Sequence, residues 1–380
     1  MNFSPYKISE NFVLKKLNYI KDGKLSLENY DGKIHQFGNQ ESSLSAKIKI
    51  HNPKFYFNII RGGSSALGES YIKNEFETLN LPSLIELTAK NINITHEFSG
   101  ILNISGINSI FKKIFISNTK KKSVEDISKH YDLGNEFFST WLDKTLTYSC
   151  GIFDKPGQEL EKAQINKYNK LINLIQPKPG DKILEIGCGW GGLSRHIHKK
   201  IGCQVHGISL APNQIEYCKN KARELRMDNA LSYSVTDYRQ VKGKFRRIVN
   251  VGFLEHTSPK FLGVFFSKVN ELLTDDGLCL THTIASVEPP APSNPFIEKW
   301  IFPGGKVPTS SQLTKNIEKS GLIISGFHSL IDHYNYTLDA WRERFLKNAS
   351  KAKEKYGEDF VRMWDFYLSS CSAAFKSNLL

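Results

Sequence analysis

Long apolar runs are missing from this chain. No stretch of about 18 uncharged hydrophobic residues occurs in it, which excludes a spanning helix but leaves attachment to a membrane surface open. The opening residues Met1 to Lys7 show no basic patch leading into an apolar run and a small-residue cleavage site, so cytoplasmic residence is the expectation. Cysteine is sparse and scattered: the six residues Cys150, Cys188, Cys203, Cys218, Cys279 and Cys371 form no CxxC pair and no Cys/His set at zinc spacing. Free thiols and no metal are expected. His196 and His198 do not change this, because side chains two apart on a helix diverge.

Acidic residues are in deficit, 38 against 51 Lys and Arg, leaving a net charge of +13. Such a surface attracts a polyanion, either nucleic acid or an anionic bilayer face, and a solvated Lys-rich exterior accounts for the charge equally well. Hydrophobic residues at 40% and charged residues at 23% are ordinary for a globular protein, so extensive disorder is not expected. A length of 380 residues points to two domains.

Residues 1–100 read as a small α+β domain. Ala46 to Ile50 alternates as a strand, Phe55 to Ile60 is a strand-like apolar run, and Arg61-Gly62-Gly63-Ser64-Ser65 reads as a Gly-rich turn. No catalytic constellation is visible there, and docking to lipid or membrane is the most it supports. Residues 101–125 read as a basic amphipathic linker. Ile107, Ile110, Phe111 and Ile114 share one helical face beside Lys112, Lys113 and Lys120 to Lys122, a pattern suited to a bilayer surface or to packing on the protein itself. From 126 to 380, strands and helices alternate, the signature of an α/β fold with a doubly wound, mostly parallel sheet. The expected strands are Lys182 to Ile186, Cys203 to Ile208, Leu231 to Val235, Arg247 to Val251, Gly277 to Thr283 and Leu322 to His328.

The strand ending at Ile186 runs into Gly187-Cys188-Gly189-Trp190-Gly191-Gly192 and then a helix. Glycines at such a bend admit positive φ and let a ligand press against bare backbone. The spacing also fits a dinucleotide fingerprint, which predicts an acidic residue about 20 positions on to hold a ribose. No Asp or Glu lies between Ile186 and Ile215, which argues against a dehydrogenase. Glu185 suits a methyltransferase better, since an acid at this bend can address the cationic amino-acid end of S-adenosylmethionine. Asp237 lies where an acid can accept from the adenine amino group.

These residues resemble the cyclopropane fatty acid synthase family, including the mycolic acid cyclopropane synthases. The likeness rests on His130 to Phe138, Thr147-Tyr148-Ser149-Cys150-Gly151, the Gly187 to Leu193 bend, Asn250 to His256, Leu280 to Ile284, Trp300 to Gly305 and His333 to Leu338, in order and spacing. The resemblance implies a class I Rossmann-like methyltransferase fold with a smaller N-terminal domain. Carried over by position, it places S-adenosylmethionine against Tyr148, Ser149, Gly187, Gly189, Ser209, Gln214, Asp237 and Tyr238. It places the reaction centre at Cys150, Val251, Glu255, His282 and Tyr334, where a bicarbonate serves as base. The Cys150 contribution is its backbone, because direct sulfonium transfer needs no covalent enzyme intermediate.

The reaction so implied is methylation of the cis double bond of an unsaturated phospholipid acyl chain, followed by proton loss and ring closure. Phe137, Phe138, Trp141, Trp300 and Phe302 are expected to enclose the alkyl chain and exclude water, or else to pack the core. An anionic membrane surface is the expected partner, with the protein peripheral at its inner face. A homodimer is compatible with this reading, which does not fix the oligomeric state. Two departures stand out. Ser209-Leu210-Ala211-Pro212 differs from the commoner Thr/Ser-x-Ser pattern, and the residues run out at Phe375 to Leu380, where the family usually continues into a closing strand.

A related methyltransferase that leaves a methyl or methylene branch, or that acts on a small amine, is the alternative. A nucleic-acid enzyme is disfavoured, since its Asn-Pro-Pro-aromatic run would follow the fourth strand, where Leu254-Glu255-His256 stands.

Overall fold

The computed structural model describes residues 5–91, 133–287 and 294–380. The expected linker 101–125 lies outside these residues, as do His130 to Asp132 of the first family motif. The described residues divide into two units, one of 5–91 with 294–301 and 345–379, the other of 133–287 with 302–344.

The first unit opens with α1 (Pro5–Leu17) and carries a four-stranded sheet of β1 (Lys24–Glu28), β2 (Ile34–Gly38), β3 (Ser45–Ile50) and β4 (Phe76–Glu77), ordered β2-β1-β3-β4. The alternation read at Ala46 to Ile50 is borne out, with Ala46, Ile48 and Ile50 buried and the residues between them exposed. Phe55 to Ile60 is not a strand. It lies in α2 (Lys54–Ile72), and Arg61 to Ser65 continues that helix instead of turning. Phe55, Tyr56, Ile59 and Ile60 fall on one helical face and pack on the sheet, which shows why a short apolar run alone does not separate the two periods. Gly68, further along α2, serves close packing. A methyl group on Gly68 would lie 2.3 Å from a ring carbon of Phe296.

After α3 (Leu81–Lys90), this unit is completed from the far end of the chain by α13 (Glu358–Lys376). Tyr71 Oη donates to Asp365 Oδ2 at 3.0 Å, and the Arg362 guanidinium lies 4.1 Å over the Tyr71 ring. The block expected at 126–380 therefore divides, because the apolar face of α13 is covered by α2 and α3.

The second unit is the α/β body. Its parallel sheet runs β7-β6-β5-β8-β9, with β5 Lys182–Ile186, β6 Gln204–Ser209, β7 Leu231–Val235, β8 Phe245–Val251 and β9 Leu273–His282. Alternate residues of each strand feed opposite faces. Ile183, Val205 and Val249 meet α5 (Leu160–Ile175), α6 (Gly192–Ile201) and α7 (Pro212–Glu224), while Leu184, Ile186, Ile208 and Ile248 meet α8 (Leu262–Leu272). Five of the six expected strands are present. Leu322 to His328 forms no strand and pairs with none among the described residues, and Ile323 and Phe327 stand 92% and 68% exposed. The strand order reverses at β5, between β6 and β8, and a crevice opens there beyond the carboxyl ends of the strands. No described helix is long and apolar enough to cross a membrane, and no cluster of metal-ligating groups occurs among the described residues.

Candidate active site

The crevice holds a cavity of about 130 Å³, walled by the ends of β5, β6, β7 and β8 and by residues 146–149. All nine residues expected to hold the cofactor line it: Tyr148, Ser149, Glu185, Gly187, Gly189, Ser209, Gln214, Asp237 and Tyr238. The bend adopts the expected backbone. Gly187, Gly189 and Gly191 all have positive φ, and a methyl group on Gly187 would lie 3.0 Å from the Phe253 ring. The bend leads directly into α6, whose first amide groups face the crevice end of the sheet.

Three polar side chains of this wall, Glu185, Asp237 and Ser209, have defined partners. Glu185 is 5% exposed, accepts a hydrogen bond from Ser194 Oγ, and is pushed up to about 7 by burial, with Ser194 and Arg195 opposing the shift. A carboxyl so placed gains most from a cationic ligand, which would restore its ionised form. Asp237 is claimed by Arg239, whose Nε and Nη2 reach its two oxygens at 2.8 and 2.5 Å. Arg239, left out of the sequence reading, thus lines the cavity and fixes the acid expected to face adenine. Ser209 Oγ donates to Gln214 Oε1 at 3.1 Å and accepts from Ala211 N at 3.2 Å, so it holds the entry to α7 despite the altered motif.

The expected reaction centre lies around this cavity, and only Val251 lines it. Val251 pairs in register with His282, and Gly252 N donates to His282 O at 2.9 Å. Glu255 follows in a 3-10 turn (Leu254–His256), and its Oε1 accepts from Ile284 N at 2.7 Å. Its Oε2 is sealed from solvent with no partner among the described residues, and so is Nδ1 of His282. Burial pushes Glu255 up to about 7 and His282 down to about 3, where the neighbouring Lys167 charge adds to the effect. Cys150 is fully buried and raised to about 12 by burial, so it is a neutral thiol and no nucleophile. Its segment is tied to α11 (Ile331–Lys347), the helix that carries Tyr334. Gly151 N donates to Thr337 Oγ1 at 2.9 Å, and Phe153 N to His333 Nδ1 at 3.2 Å.

The aromatic expectation is corrected in part. Phe138 and Trp141 are fully buried and Phe137 nearly so, and none of them lines the cavity. They support it from behind, with the Tyr148 ring 5.2 Å from Trp141 and 5.7 Å from Phe138. Phe302 packs edge-on against His256, while Trp300, on α9 (Pro295–Trp300), belongs to the other unit.

Two residues of α5 complete the site without having been foreseen. Gln164 Nε2 donates to Ser149 O at 2.8 Å and Lys167 Nζ to Ser149 Oγ at 2.6 Å, both side chains fully buried. A lysine spaced with Gln164, Tyr168 and Leu171 on the apolar face of a helix was the available signal.

The family model "Mycolic acid cyclopropane synthetase" matches residues 118–380. The chain is 33% identical over 338 residues to a cyclopropane-fatty-acyl-phospholipid synthase of Escherichia coli strain K12, covering 88% of this chain and 86% of that one. It is 31% identical over 267 residues to a probable fatty acid methyltransferase of Pseudomonas putida, covering 68% of each. Among solved structures it is similar to a mycolic acid cyclopropane synthase complexed with SAH and CTAB, with a TM-score of 0.64 and 29% identity over 67% of this chain and 94% of that one. The chain belongs to the mycolic acid cyclopropane synthetase family and is an S-adenosylmethionine-dependent methyltransferase of the cyclopropane-fatty-acyl-phospholipid synthase type.

Proposed function

We propose that this enzyme methylates the cis double bond of an unsaturated phospholipid acyl chain and closes the product to a cyclopropane. The observation that carries the reading is the pair of sealed, unpartnered polar atoms, Glu255 Oε2 and His282 Nδ1, set beside the cavity wall at Val251. Buried polar groups without partners are expensive, and two on segments joined by the Ile284 N to Glu255 Oε1 bond support the reading of a site for a small polar guest. A bicarbonate fits these donors and acceptors, with Glu255, His282, the Cys150 backbone and Tyr334 as the groups that would hold it. When bound it would supply a weak base for the proton that leaves the new methyl group.

The chain's own residues do the rest. The glycine bend and Tyr148 seat the donor, and Glu185 and Asp237 address its charged and adenine ends. An alkene is a weak nucleophile, so holding the sulfonium methyl in line with it supplies much of the rate. The resulting cation is acidic at the added carbon and needs only a weak base. The buried packing of Phe137, Phe138 and Trp141 behind Tyr148 keeps that wall dry, which protects the cation from water. The net charge of +13 supports attachment to an anionic membrane surface, with the protein peripheral at the inner face.

A second reading, a methyl- or methylene-branched product, is favoured by the similarity to the probable fatty acid methyltransferase. One experiment separates them. Purified protein is incubated with labelled S-adenosylmethionine and vesicles of a cis-unsaturated anionic phospholipid, with and without bicarbonate, and the lipids are analysed by mass spectrometry and NMR. Ring methylene resonances, stronger with bicarbonate, support the proposal. Vinyl or methyl-branch resonances support the second reading, and label confined to soluble amines defeats both.

A further inference from the structure

Lys167 is a cation with no exposure, a costly thing to bury unless its charge is used. It stands on α5 with Gln164, one turn away, and the two grip the same residue, Ser149, by its side chain and its carbonyl. The groups acting on Lys167 are Asp143, Glu185 and Cys150, and it in turn acts on His282. Its amine also lies 5.5 Å over the Tyr168 ring. Asp143 accepts from Thr145 N and Thr147 N at 2.8 Å each, which fixes the loop that carries Ser149.

An ammonium group has protons to give and no lone pair to receive one. The Ser149 oxygen is therefore the acceptor in the bond from Lys167, and its own proton must point elsewhere. Among the described residues that proton has no acceptor, and Ser149 lines the cavity. Glu185, on the same cavity wall, is the place for a ligand cation. The two ends of an amino acid zwitterion are thereby matched, an acceptor for the ammonium and an oriented donor backed by a buried positive charge for the carboxylate.

We propose that Lys167 is a positioning residue that acts through Ser149, turning the hydroxyl proton toward the carboxylate of the bound donor's amino-acid end. The inference rests on the donor site described above.

The test is calorimetry with two ligands, S-adenosylhomocysteine and its decarboxylated analogue S-adenosyl-3-thiopropylamine, which keeps the ammonium and lacks the carboxylate. Lys167→Met is expected to weaken S-adenosylhomocysteine by about 10- to 100-fold, the loss of a charge-assisted bond, and to change the analogue by no more than about twofold. A purely structural lysine would weaken both alike. Equal weakening, or none, overturns the proposal. Should Lys167→Met give no cooperative melt, Ser149→Ala decides in its place, with the same selective loss expected and unchanged binding of S-adenosylhomocysteine as the contrary result. Wild-type protein that binds neither ligand would instead remove the donor site itself.

Discussion

Ser194 Oγ donates to Glu185 Oε2, joining the first turn of α6 to the strand residue that precedes the glycine bend. The bond is the main influence opposing burial, and with both acting this carboxyl stands raised to about 7. Glu185 therefore exchanges its proton inside the working pH range, and whatever cation it receives must compete with that proton.

Donor affinity should consequently depend on pH. The ionised carboxylate attracts the ligand ammonium and the protonated form does not, so binding of S-adenosylhomocysteine strengthens as pH rises through 7, by at most about tenfold per unit below it, and levels off above. Isothermal titration between pH 6 and 8 reads this directly. Glu185→Gln should bind weakly and without the slope, and Ser194→Ala should move the inflection to higher pH. A flat wild-type profile would take Glu185 out of the ligand site.

The glycine bend offers a separation of binding from folding. Gly187→Ala places a methyl group at φ +76°, 3.0 Å from Phe253, on the cavity wall. Gly207→Ala places one 2.7 Å from the Tyr233 ring and 3.0 Å from Cys188 Cβ, behind the wall. The first should abolish measurable donor binding with a modest loss of melting temperature. The second should cost about 1–3 kcal/mol of stability through overpacking. Thermal melts with and without S-adenosylhomocysteine distinguish them, and a Gly187→Ala protein still stabilised by the ligand would contradict the assignment.

How far the sequence reached follows from which residues speak locally. The strands β5 to β9 and the bend were legible because alternation and glycine spacing are short-range signals. Phe55 to Ile60 misled because five apolar residues in six fit either period, and only the continuation to Ile72 favours a helix. The pairing of α13 with α2 and α3 was invisible, since contacts such as Tyr71 with Asp365 join residues 294 apart in the chain. Separation in sequence likewise hid Lys167's hold on Ser149 better than Arg239's claim on Asp237. Arg239 is two residues from its partner, whereas Lys167 reaches across from a neighbouring helix.

Cys150 offers a clean negative test. A thiol held at about 12 is neutral at any working pH, so Cys150→Ala should keep turnover within about tenfold of wild type, the residual loss reflecting a small buried void. Iodoacetamide should leave Cys150 unmodified in the folded protein, as peptide mapping would show. Rapid alkylation at this position, or loss of all activity on substitution, would restore the nucleophile reading.

Glu255 carries the sharpest prediction, because chemistry and stability move in opposite directions. Its folded pKa near 7 exceeds the ordinary 4.5, so the native state prefers the protonated form. The linkage sign is fixed by that order: wild-type stability from this group is full below about 4.5 and falls as pH rises to 7 and beyond, where a buried carboxylate must ionise. Glu255→Gln keeps an acceptor for Ile284 N and removes the titration, so the variant should melt higher than wild type at pH 8 and close to it at pH 5. Turnover should nevertheless fall at least about 100-fold, the range expected when the base that Glu255 would hold is no longer positioned, while the affinity for S-adenosylhomocysteine stays within about twofold. Lipid methylation by the variant at the wild-type rate would show that Glu255 only braces the end of β9.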